Sequence, residues 1–99
     1  MIVVTGRIHT DAETLPLLFA RLKEMCGPSR EEDGCIFYNM GIEDEAEGII
    51  MAMEGWRDVD ALHAHLALPD VAKLLSDFEG KFRNEVSIHT VSETQSLAV

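Results

Sequence analysis

Apolar positions along the chain follow two periods, and the changes between them mark the predicted elements. Ile2 to His9 alternates weakly and is rich in β-branched residues, which predicts a first strand. From Leu15 the spacing lengthens. Leu15, Leu18, Phe19, Leu22, Met25 and Cys26 stand at i, i+3, i+4, i+7, i+10 and i+11, one stripe along a helix. Thr10 to Thr14 supplies capping residues and early acidic charge, and Pro16 places the start within a few residues of itself. Gly27-Pro28 predicts a stop or a kink, followed by a polar stretch from Ser29 to Asp33 that Gly34 ends. Alternation returns in Cys35 to Ile42, with Cys35, Phe37 and Asn39 expected on one face and Ile36, Tyr38 and Met40 on the other. The acidic run Glu43 to Gly48 reads as a hairpin loop. Gly48 to Trp56 is a third strand, apolar on both faces for most of its length.

Asp58 is placed to cap a second helix with a stripe of Val59, Leu62 and Leu66. Pro69-Asp70 breaks and restarts it, and Val71, Leu74, Leu75, Phe78 and Phe82 continue at helical spacing, with Gly80 a mild disruption near the end. Glu85 to Val91 is a fourth strand, and Ser92 to Val99 is a tail whose Leu97 to Val99 can pack on a neighbour. The order βαββαβ, without repeat or linker, predicts one α+β domain over residues 1–99. Its expected form is ferredoxin-like, a four-stranded antiparallel sheet with the helices on one face. A strand apolar on both sides needs cover on both sides. No segment remains to supply the second layer, so a homodimer with sheets packed face to face is expected.

Composition narrows the function. A formal charge of −10 argues against nucleic acid and against anionic membranes as partners. The longest apolar run, Ile49 to Met53, is far short of a membrane span, and the start MIVVTGRIHT lacks the features of a signal peptide, so a cytoplasmic location is expected. Cys26 and Cys35 read as reduced thiols, mostly buried; no CxxC is present, and no zinc spacing.

Candidate chemistry concentrates in Glu54 to Leu66, EGWRDVDALHAHL, where the only tryptophan precedes a turn and a helix bearing two histidines. Trp56 suits the wall of an aromatic-binding pocket, and its indole N–H can fix a polar group. Glu54 shares its strand face by the two-residue period and can orient a histidine or an arginine, Arg7 and Arg30 being the basic candidates. Tyr38 can donate a hydrogen bond to a substrate oxygen, whereas Asn39 points the other way. Gly6, within strand one, marks a close approach by backbone or ligand. Gly6 and Phe78 complete the set expected at substrate. His63 and His65 lie roughly 200° apart on a helix, so they cannot line one cavity or chelate one metal, and no metal site is expected.

Three passages carry a resemblance. They are Ser29-Arg30-Glu31-Glu32-Asp33-Gly34-Cys35 followed by Tyr38, then Glu54-Gly55-Trp56, then Ala61-Leu62-His63-Ala64-His65-Leu66. In this order and spacing they resemble the antibiotic biosynthesis monooxygenase family, small dimeric α/β-barrel proteins that include cofactor-independent quinol monooxygenases. The resemblance implies a pocket between helices and sheet, with a histidine of the second helix facing it. That makes His65 the expected catalytic base, its near-neutral titration suiting it to take a proton from a phenol or quinol. Tyr38 or the Trp56 N–H would hold the oxyanion. Some members degrade haem; the places of their strand-one asparagine and axial histidine fall here on Gly6 and Leu75, and leucine cannot ligate iron, so no cofactor is expected. The expected activity is oxidation of a small electron-rich aromatic by molecular oxygen. The alternatives are isomerisation of a small carbonyl or sugar-phosphate compound, and a non-catalytic small-molecule-binding dimer.

Overall fold

Strand β1 (Ile2–His9) runs inside a four-stranded antiparallel sheet in the computed structural model, which describes Met1–Val99. It pairs on one side with β3 (Ile49–Trp56) and on the other with β4 (Arg83–Thr90), while β2 (Cys35–Asp44) closes the far edge against β3. The order β2-β3-β1-β4 is that of the ferredoxin-like fold. Helices α1 (Leu15–Arg30), α2 (Val59–Leu66) and α3 (Pro69–Asp77) supply the covering layer. Their residues Leu15, Leu18, Leu22, Leu62 and Leu74 bury against Ile2, Val4, Tyr38, Met40, Ile50 and Ala52 of the sheet. These sheet positions alternate along each strand, as a half-buried sheet requires.

Several elements differ from expectation, each for a local reason. Helix α1 runs through Gly27-Pro28 to Arg30. Pro28 has no N–H to offer the carbonyl four residues earlier. Its last turn is instead tied to β2, where Arg30 donates from Nε to the Tyr38 carbonyl at 3.0 Å and from Nη2 to Asn39 Oδ1 at 2.8 Å. The second helical region is two helices. Leu68 precedes Pro69 and is extended, with ψ 138, because a residue before proline is crowded out of the helical region. The buried face of α2 is Ala61, Leu62 and His65, with Val59 and Leu66 about half exposed, so the stripe lies rotated from the expected Val59, Leu62 and Leu66. Helix α3 ends at Asp77 and a turn with Gly80 at φ +76 follows, leaving Phe82 outside the helix, directly before β4. A register shift between Cys35 and Phe37 turns Ile36 outward, 54% exposed, while Tyr38 and Met40 keep facing the helices.

Gly6 sits where β1 meets β4. A Cβ there would collide with the backbone carbonyl of Glu85 and the Cα of Val86. Backbone, not ligand, makes the close approach. The sheet's other face carries Val3, Phe37, Ile49, Met51 and Met53 among polar neighbours; Met53 is 49% exposed in the single chain. Ser92–Val99 forms no regular element, and Leu97 and Val99 are exposed. No helix is long and apolar enough to cross a membrane.

Candidate active site

The corner between β3 and α2 is pinned to the loop that follows α1. The Arg57 N–H donates to the Gly34 carbonyl at 2.7 Å, and its guanidinium pairs with Asp33 at 3.1 Å. Asp58 caps α2, its Oδ1 accepting from the Ala61 N–H at 2.9 Å. Two turns of helix then carry His65 inward over the sheet, where it is 2% exposed. Its ring lies tilted 34° over the Trp56 indole at a centroid distance of 4.8 Å, with the Tyr38 ring edge-on at 5.3 Å. The same pinned loop brings Glu32 to the imidazole, with Oε2 3.0 Å from Nδ1. On the sheet below, the Trp56 indole N–H donates to Glu54 Oε1 at 3.0 Å.

Burial governs the electrostatics here. It pushes the Glu54 carboxyl above its ordinary range, opposed by the Trp56 N–H and the nearby imidazole. Burial also raises the Tyr38 phenol, with the Glu54 charge adding to it and a hydrogen bond from Ser29 working against it. Tyr38 therefore stays a protonated donor through the neutral range.

Between helices and sheet lies a cavity of about 330 Å³. Its lining is apolar apart from His65, Glu54 and Asn84, Tyr38 contributes to the wall, and exposed Leu66, Leu75 and Ile88 border it. A second, polar cleft of about 390 Å³ lies between the end of α1 and the start of α3, lined by Arg21, Glu24, Pro28, Ser29, Glu32 and Lys73 among others. No group of three or more His, Cys, Asp or Glu is disposed to hold a metal ion.

The sequence profile of the antibiotic biosynthesis monooxygenase family matches residues 1–77. The chain belongs to the antibiotic biosynthesis monooxygenase family. An uncharacterized Synechocystis protein, sll1783, is 28% identical over 98 residues, spanning 97% of this chain and 67% of that protein. A Deinococcus radiodurans crystal structure carrying the same family name is similar with TM-score 0.88 at 24% identity, covering 100% of both chains. Rv0793 of Mycobacterium tuberculosis follows the same fold, with TM-score 0.78, 22% identity and 98% of each chain covered.

In this antibiotic biosynthesis monooxygenase domain, three of the residues singled out in the sequence, His65, Tyr38 and Glu54, meet at the polar end of the cavity. Trp56 is fully buried behind the imidazole and forms its backing. Its N–H is already given to Glu54, so it is not free to hold an oxyanion. Gly6 and Phe78 do not line the cavity. Gly6 is closed off by β4, and Phe78 is buried with the Arg21 guanidinium 5.8 Å from its ring centroid. The arginines considered as partners of Glu54 are engaged elsewhere, Arg7 with Glu43 and Arg30 with β2. His63 is exposed on the opposite side of α2. Glu32 is the residue that sequence reasoning passed over as a site group. It stands 33 positions from His65, a separation that no periodicity reveals, and its one signal was its place in the Ser29 to Cys35 passage.

Proposed function

We propose that the domain is a cofactor-independent monooxygenase that oxidises a small electron-rich aromatic, a quinol or polycyclic phenol, with molecular oxygen. The observation that carries this reading is a buried imidazole opening onto an apolar cavity beside a protonated tyrosine. In such a pocket His65 takes the proton of a ring hydroxyl. The resulting anion, set among apolar side chains, is electron-rich enough to reduce oxygen itself. One oxygen atom becomes bonded to the ring carbon, the other leaves as water, and all four electrons come from the substrate. Tyr38 stabilises the developing ring oxyanion by hydrogen bonding. The isomerase alternative asks for basic groups around a phosphate, and His65 is the single basic side chain lining the cavity.

The test is oxygen uptake with a panel of small quinols and phenols. His65→Ala should leave the fold intact and lower uptake by about 10²- to 10⁴-fold, the usual worth of a positioned base. Uptake unchanged in that variant removes His65 as the base. We further propose that the active form is a homodimer joined through the bare face of the sheet, the face carrying Met51 and Met53.

A further inference from the structure

We propose that Glu32 is the positioning residue of His65, holding the imidazole with its proton on Nδ1 and its bare Nε2 toward the substrate, and that it does so from the polar cleft on the far side of the ring. This deepens the reading of His65 as a base and rests on it. The Glu32 carboxylate can only accept, and both its oxygens lie within reach of Nδ1, at 3.0 and 3.1 Å. Nδ1 must therefore carry the hydrogen. No protein group is bonded to Nε2, and the ring lines the apolar cavity, so Nε2 is the nitrogen left for a substrate hydroxyl. A neutral imidazole with the other tautomer would present an N–H where a base is needed.

The two partners differ in their surroundings. The His65 side chain is 3% exposed, and that of Glu32 is 22% exposed. Glu32 borders the cleft shared with Arg21, Glu24, Asp70 and Lys73, whereas His65 faces the cavity shared with Tyr38 and Glu54. The carboxylate thus reaches the imidazole from a polar cleft while the opposite edge of the ring meets apolar side chains. When Nε2 takes a proton, the imidazolium gains an adjacent counter-charge that Glu54, bound to the indole N–H and pushed toward its neutral form, supplies less well. Trp56 beneath and Tyr38 beside the ring limit its rotation, so tautomer and orientation are held together.

The experiment is a long-range ¹H–¹⁵N spectrum of the imidazole nitrogens in the full chain, with His65 assigned by loss of its signals in His65→Ala. Recorded at a pH high enough to leave the imidazole neutral, the wild type should show Nδ1 protonated and Nε2 bare. Glu32→Gln, nearly isosteric and partly exposed, should give a mixture of tautomers because an amide can donate or accept. Glu32→Asp should restore the Nδ1–H form in part. A wild-type ring protonated on Nε2, or an Nδ1–H form unchanged in Glu32→Gln, overturns the assignment. With any quinol that is turned over, Glu32→Gln should lower kcat by about 10²- to 10⁴-fold with KM little changed. Uptake lost in His65→Ala yet normal in Glu32→Gln would reject the role of Glu32 and leave the base standing. A correct tautomer without uptake of oxygen for any substrate would reject the oxygenase reading and leave the Glu32 to His65 geometry standing.

Discussion

Glu54, 9% exposed and bonded to one indole N–H, is a carboxyl whose charge the fold disfavours. Its folded titration lies above the ordinary value of 4.5, mainly through burial. Between the unfolded and folded values the native state binds more protons than the unfolded one, so stability falls as pH rises through that window and levels off above it. Glu54→Gln keeps an oxygen for the Trp56 N–H and removes the titration. Its melting temperature relative to wild type should therefore climb as pH is raised from 4.5, and parallel melting curves across that range would refute the placement of this charge. Three members of the site could be read at this scale because their type and strand or helix position were informative. Glu32 could not. Its role depends on a loop that folds back across the α2 corner through Asp33 and Gly34, a tertiary contact with no local signature.

At the scale of elements, strand identities were legible and helix limits less so. Alternation, β-branching and, for β3, a continuous apolar run located all four strands to within a few residues. Helix ends yielded to neighbours. The Gly27-Pro28 pair, expected to stop or kink α1, lies within the helix, whose end Arg30 ties to β2, while Pro69 does divide α2 from α3 because it dictates the backbone of Leu68. The rotated face of α2 follows from the buried imidazole. His65 joins Leu62 in the interior, and Val59 and Leu66 move toward the surface in exchange. The pairing of β1 with β4 rests on the missing side chain at Gly6. Gly6→Ala has no room against the backbone of Glu85 and Val86, and its φ of +155 adds strain. The variant should lose about 1–3 kcal/mol in a urea melt. An unchanged midpoint would mean that β4 can shift aside at no cost.

For the whole molecule, one face of the sheet is covered and the other offers methionine, isoleucine and valine positions to solvent in the single chain. The proposed pairing of two copies puts Met53 at the join, so Met53→Glu should convert a sedimenting dimer to monomer with little change in far-UV dichroism. A wild type that sediments as a monomer at micromolar concentration would reject the pairing. The charge of −10 on each copy opposes association, and added salt should strengthen it by screening.

Pro28 has a consequence on this same scale. It cannot serve the carbonyl of Glu24, and both residues border the cleft on the carboxylate side of the imidazole. That oxygen lacks its usual i+4 donor, so the main chain itself adds polarity to this margin. An oily guest in the hollow dries only one edge of the ring, and the imidazole stands like a pane between grease and water.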